Sequence, residues 1–198
     1  MMTPEQKTIS RILKVNHAGE FGAIRIYRAQ IYVSKYLNKD LLAFLEETVS
    51  HEIDHCRIFR EAMTTRRSRP CYAMWLWGLG GSALGLITAL IGKNAIMVCT
   101  AAVERTVHRH LEEQIEFLSG RDEALKAAIA DIQTQELGHL THAEAYIRPH
   151  PLNRWLSSAI CVSTEAVIWL STQGAVSRMR RAIKPLPQQP VPFGERQP

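Results

Sequence analysis

Two four-residue stretches carry the chemistry of this chain: Glu52-Ile53-Asp54-His55 and Glu136-Leu137-Gly138-His139. In an α-helix residues i and i+3 project from one face, so each stretch sets a carboxylate and an imidazole where together they can hold one metal ion. A single pair is weak, because a buried Glu and His also satisfy each other. Two further carboxylates change the reading: Glu20 precedes Glu52 by 32 positions, Glu104 precedes Glu136 by 32, and the two halves repeat with an offset of 84. All six side chains sit on otherwise apolar stripes. Without cations, four inward carboxylates and two imidazoles would suffer desolvation and mutual repulsion, and two divalent ions neutralise them. Oxygen-rich donors with two nitrogens and no thiolate suit iron or manganese rather than zinc or an iron–sulfur cluster. Glu20, Glu52, His55, Glu104, Glu136 and His139 are therefore the predicted metal ligands and, through the paired ions, the predicted catalytic residues.

Nearby groups have weaker claims. His108 follows Glu104 by four and reads as a helix-surface or supporting group, and His142 as a solvent-edge histidine. Asp54 lies about 200° around its helix from Glu52, so it either orients a histidine elsewhere or is a solvated charge. Spacing alone gives His17, His51 and His110 no role.

Positioning six such groups takes helices, and apolar residues recur at helical spacing almost throughout. A first helix is expected from about Asn16, a candidate N-cap, to Tyr36, with Glu20, Ile24, Tyr27 and Ile31 on one side. A second, from about Asp40 to Thr64, aligns Leu45, Thr48, Glu52, His55 and Phe59. A third, from about Asn94 to Leu118, carries Glu104, and a fourth, from Arg121 or Asp122 to Pro149, carries Glu136 and His139. Between the halves, Pro70 to Gly92 contains no charged residue and follows Arg66, Arg67 and Arg69. A last apolar segment, Trp155 to Thr172, is interrupted only by Glu165.

The chain has 198 residues, 46% of them apolar, which suffices for one core and one domain. The net charge of +5 sits mostly in residues 175–198, where Arg178, Arg180, Arg181, Lys184 and Arg196 face only Glu195. A near-neutral body lacks the footprint of a nucleic-acid binder. The four cysteines form no C-x-x-C and fit thiols in a reducing compartment. Residues from Met1 to Ile12 have the look of neither a signal peptide nor a transit peptide, so no export is expected.

Two helices giving one Glu each and two giving Glu-x-x-His is the ligand set of a ferritin-like bundle. The predicted fold is all-α, a ferritin-like four-helix bundle with two additional apolar membrane-associated segments, about 70–92 and 155–172. They fall within one domain, 9–174, and 175–198 is expected to be a disordered, basic, Pro-rich tail. Beyond this, the run Asn16-His17-Ala18-Gly19-Glu20-Phe21-Gly22-Ala23 resembles the membrane-bound demethoxyubiquinone hydroxylases. Ile26-Tyr27, Gln30, Ala102-Val103-Glu104, His110, Gln114 and Gln135-Glu136-Leu137-Gly138-His139 extend that resemblance. It places the family's six iron ligands on the six positions above. It also implies that a pair of iron ions activates O2 to hydroxylate a demethoxyubiquinone ring, with NADH as electron donor, although no Rossmann fingerprint is present. Arg105, Leu111, Gln135 and Gly138 depart from the family pattern, which has acidic or aromatic residues there.

Spanning the bilayer once between the two halves would put their ligands on opposite sides. The Pro70–Gly92 run is therefore expected to dip into one leaflet, its tryptophans near headgroups and the preceding arginines on anionic lipid. Gly81, Gly85 and Ala89 form a small-residue ridge expected to receive the Trp155–Thr172 segment or another subunit. The expected location is the cytoplasmic face of a bacterial inner membrane, the expected substrate a polyprenyl quinone. A homo-oligomer and a lipid-binding protein of ubiquinone synthesis are the expected partners. The competing readings are a ferritin-like peroxidase or iron oxidase, which needs no long uncharged segments, and a non-catalytic quinone-binding scaffold.

Overall fold

The computed structural model describes residues 2–171 and 174–183. These form α1 (Pro4–Leu37), a 3-10 turn (Lys39–Leu41), α2 (Leu42–Thr65), α3 (Met74–Ile91), α4 (Lys93–Leu118), α5 (Glu123–Tyr146), α6 (Asn153–Ser171) and α7 (Ala175–Ile183). There is no strand among them. The all-α bundle expected from helical periodicity is the fold observed.

Helix α1 starts twelve residues before the expected N-cap at Asn16. Thr3 caps it, its hydroxyl accepting from the Gln6 amide while the Gln6 side chain accepts from the Thr3 amide, and Pro4 supplies a pre-set φ at the first turn. Asn16 is instead buried in mid-helix. Its amide and that of Gln114 on α4 bond reciprocally at 2.7 and 3.0 Å. A residue type that favours caps is here an amide pair pinning α1 to α4.

Cross-helix partners fix the topology. Ser10 meets Ser68 and Cys56 meets the His17 carbonyl, so α1 and α2 run antiparallel. Arg66 at the end of α2 holds Asp122, the N-cap of α5, at 2.6 and 2.8 Å, so α2 and α5 are antiparallel as well. Helix α4 opposes both α1 and α5. The four helices that carry the predicted ligands therefore run up, down, down, up, and the connection from α2 to α4 must cross the length of the bundle. Helix α3 makes that crossing.

It does so packed on α1 and parallel to it. A Cβ on Gly81 would lie 2.6 Å from the Gly22 carbonyl oxygen, one on Gly85 would run into the Ile26 carbonyl, and Gln30 donates to Thr88 at 3.0 Å. The glycine ridge thus receives α1, not α6 or another subunit. Gly85→Ala is expected to lower stability by about 1–3 kcal/mol, because neither backbone can yield, with a matching drop in the thermal midpoint measured by circular dichroism.

Helix α3 buries this ridge and leaves Trp75 (66% exposed), Leu79, Ile87, Leu90 and Ile91 uncovered. It is the one helix among the described residues long and apolar enough to cross a bilayer. Helix α6 packs on α4 through Ile160 and exposes Trp155 (78%), Val162, Trp169 and Leu170. The tail differs from expectation: Ala175–Ile183 is helical rather than disordered and folds back on α1. The rest of the expected disordered tail, 184–198, lies outside the described residues.

Candidate metal centre

Two clusters of apolar side chains divide the bundle. One holds Ile12, Leu13, Phe59, Leu111, Leu125 and Ile129, the other Tyr27, Leu45, Ile96, Met97 and Ala143. The six predicted ligands all lie between them: Glu20 on α1, Glu52 and His55 on α2, Glu104 on α4, Glu136 and His139 on α5. None is more than 6% exposed.

Their donor atoms form two overlapping sets. Glu20, Glu52, His55 and Glu136 offer atoms within 4.8 Å of one another, and so do Glu52, Glu104, Glu136 and His139. Glu52 and Glu136 belong to both. Nδ1 of His55 lies 2.9 Å from Glu136 Oε1 and 4.0 Å from oxygens of Glu20 and Glu52. Nδ1 of His139 lies 3.4 Å from Glu136 Oε2 and 3.6 Å from Glu52 Oε1. Both Nδ1 atoms, both Glu136 oxygens and Glu52 Oε1 are buried without a well-formed hydrogen bond. Orphaned polar atoms of this kind are costly, and here they all converge on one space. The residues fit a pair of cations.

The electrostatics agree. Burial, then the charge of Glu136, pushes Glu20 up to about 7. Burial and neighbouring carboxylates drive Glu52 and Glu104 well above the usual carboxylate range. Glu136 goes the other way: burial opposes its charge, but the His139 and His55 imidazoles hold it below its ordinary value. His55, disfavoured by burial, is raised to about 9 by Glu136 and Glu20. Left to themselves Glu20, Glu52, Glu104 and His55 favour their protonated forms, and those protons are the charges that metal ions would replace.

Three groups without a role in the spacing argument support the ligands. Nε2 of His55 lies 3.1 Å from Gln135 Oε1, which can only accept, so Nδ1 is left as the free donor atom toward the centre. Nε2 of His139 lies 2.9 Å from His51 Nδ1, with the rings stacked at 15°. The Tyr27 hydroxyl donates to Glu104 Oε1 at 2.5 Å. Tyr27 could have been found, since it lies seven residues after Glu20 on the same face. His51 could not, because its partner is on another helix 88 positions away.

The remaining candidates stand apart. Asp54 is exposed and pairs with Arg57, the solvated alternative of its two readings. His108 faces Glu112 on the surface of α4, and His142 stacks between Phe44 and Tyr146. Arg105 pairs with Glu144 at the surface, Leu111 is core, and a Cβ at Gly138 would meet only open space. Of the four departures from the family pattern, Gln135 alone touches a ligand.

From Glu20, Glu52 and Glu104 a largely apolar cavity of about 300 Å³ runs between α1, α3, α4 and α6, past Ile26, Trp77, Leu84, Val103 and Val107. His110 and Thr164 also line it. Arg180 on α7 reaches His110 Nε2 at 2.8 Å and Glu165 Oε1 at 2.9 Å. Arg cannot accept a hydrogen bond, so Nε2 of His110 must, and the ring proton sits on Nδ1.

The family model described as ubiquinone biosynthesis protein COQ7 matches residues 7–171. This chain belongs to that family. A Dictyostelium discoideum protein named NADPH-dependent 3-demethoxyubiquinone 3-hydroxylase, mitochondrial, is 34% identical over 85% of this chain and 79% of its own length. The 3-demethoxyubiquinol 3-hydroxylase of Rhodospirillum rubrum is 35% identical over 82% and 77%. A human protein of the same name as the Dictyostelium one is 40% identical over 66% and 61%. In this COQ7-family chain the matched residues include all six predicted ligands and the apolar crossing helix α3.

Proposed function

We infer that this chain is a hydroxylase of ubiquinone biosynthesis, inserting an oxygen atom from O2 into the ring of a demethoxyubiquinone at a carboxylate-bound two-iron centre. The observation that carries this reading is the convergence of two four-residue donor sets, sharing Glu52 and Glu136, at the inner end of an apolar cavity. Glu20 and His55 would hold one ion, Glu104 and His139 the other, and Glu52 and Glu136 both. Bound there and reduced, the iron pair supplies the oxygen-activating chemistry of the reaction.

The chain's own groups do the rest. Gln135 and His51 orient the two imidazoles by taking hydrogen bonds from Nε2, which keeps each Nδ1 lone pair turned inward. Tyr27 fixes the rotamer of Glu104. Trp77, Ile26 and Val103 exclude water from the cavity, and His110 presents Nδ1–H as a donor suited to an oxygen on the substrate ring. The reductant class is a nicotinamide nucleotide: the resemblance implies NADH, whereas the names of the Dictyostelium and human relatives specify NADPH. Exposed Trp75, Leu79 and Ile87 on α3 with Trp155 and Val162 on α6 suit immersion in one leaflet, from which a polyprenyl quinone would enter between α3 and α6. The location that follows is the surface of the membrane holding the quinone pool. A ferritin-like peroxidase or iron oxidase would use the same donors but has no use for this cavity or these faces.

The test is complementation of a strain that accumulates demethoxyubiquinone, with purified protein assayed for iron. Wild type is expected to restore ubiquinone and carry iron, and Glu104→Ala to do neither. Rescue by both would overturn the reading, and a metal-free wild type that binds quinone without turning it over would favour the scaffold.

A further inference from the structure

A second, shallower cleft lies between α1 and α2 on the flank away from the apolar cavity's α4 and α6 walls. Its lining includes His17, Arg25, Arg28, Cys56, Arg57 and Arg60, around a volume of about 360 Å³. Arg25 and Arg28 are an i,i+3 pair on α1, Arg57 and Arg60 an i,i+3 pair on antiparallel α2, so the helix geometry turns four guanidinium groups toward one groove. Arg57 is matched by Asp54 and Glu61 at 3.4 and 3.1 Å. No acidic partner meets Arg25, Arg28 or Arg60 among the described residues, although Arg66, Arg121 and Arg180 elsewhere each hold a carboxylate.

The groove has a polar floor. His17 is 7% exposed and its Nδ1 is buried with no hydrogen-bond partner. Three arginines without a carboxylate partner around one groove call for an anion that accepts several hydrogen bonds. A single carboxylate would leave most of that charge unmatched. A phosphate, with up to two charges and oxygens on every side, suits forked guanidinium donors better. The cleft also adjoins the apolar surface of α3, since Arg25 Nε lies 3.5 Å from where a Gly78 Cβ would stand.

We propose that this groove binds the phosphate of a phosphate-bearing ligand, through Arg25, Arg28 and Arg60 with His17 beneath. The shared chemistry is a phosphate oxygen cluster, whether on a soluble nucleotide entering from the open side or on a lipid headgroup at the edge of α3. The site is separate from the two-iron centre and does not depend on it.

Arg28→Ser/Arg60→Ser in the iron-loaded full chain tests it in two arms, with melting curves establishing that the variant is folded. Titration calorimetry with inorganic pyrophosphate reads the soluble source. Flotation with vesicles of phosphatidylcholine, alone or mixed with phosphatidylglycerol, reads the lipid source. Binding in at least one arm is expected to weaken by about tenfold or more in the variant, with Arg28→Lys/Arg60→Lys falling between, because the charge is kept and the fork lost. Loss in the first arm identifies a soluble phosphate, loss in the second a headgroup. A folded double-serine variant that matches wild type in both arms overturns the proposal.

Discussion

Glu52→Gln is expected to abolish turnover while leaving the metal-free protein as stable as wild type or more so. Glu52 is the carboxylate common to both donor sets that spends the metal-free state under the strongest pressure to stay neutral, with burial first and Glu136, Glu104 and Glu20 around it. A neutral amide of the same shape removes that conflict. It also removes an anionic oxygen that both ions would need. The activity loss should exceed the roughly 10–100-fold that follows when only an outer partner of a metal ligand is removed, because the proposed centre makes Glu52 a ligand itself. Iron per chain, turnover and the melting point after chelation separate the two effects. A Gln variant that retains full iron and full activity would remove Glu52 from the centre, and one that is metal-free and unfolded would contradict the electrostatic account.

The second large effect is a metal-induced stabilisation that grows with pH. In the metal-free chain Glu20 is raised from 4.5 to about 7, Glu52 and Glu104 further, and His55 from 6.5 to about 9. A raised folded pKa means that the native state binds protons more tightly than the unfolded chain. The stability these groups confer is therefore complete below about pH 4.5 and drains away as pH rises through 7 and on toward 9. For Glu20 alone the span corresponds to about 3 kcal/mol. Glu136 has the opposite sign, but its stabilisation is lost only as pH falls below 4.5, outside this window. Ferrous iron bound at the proposed centre would displace the same protons, so the loaded protein should gain on the metal-free one as pH rises. Melting curves at pH 5 and pH 8, with and without iron under anaerobic conditions, are expected to show a metal-induced increase several-fold larger at pH 8. Equal increases would show that Glu20, Glu52, Glu104 and His55 do not hold extra protons in the metal-free fold.

That six donor side chains would face one another was legible because duplication and helical periodicity are both written in the linear order of residues. Glu20 and Glu104, each 32 positions ahead of a Glu-x-x-His, need no tertiary information. What the sequence could not convey was which surfaces meet. The glycines at 81 and 85 announce a close helix approach without naming the partner, and α1 takes a place expected for α6 or a second chain. Asn16 has the preference of a cap residue, yet a complementary amide at Gln114 on a distant helix outweighs it. His51 and Arg180 act through residues 88 and 70 positions away, beyond any local pattern. The helix at Ala175–Ile183 lies in a stretch whose charge resembles that of an unstructured tail, and it is settled by docking on α1 and by Arg180 binding Glu165. Gln135 was visible as a departure from the family pattern, but only the fold shows that it takes the place of a charged acceptor behind His55.

The sharing of Glu52 and Glu136 between the two donor sets also bears on how the centre fills. Neither position is complete without oxygens that its neighbour also claims, so orienting those two carboxylates for the first occupant prepares them for the second. The ordering entropy falls chiefly on the first arrival. Occupancy should then be close to all-or-none, and a scarce supply would divide the population into fully assembled and bare chains, with few singly occupied ones.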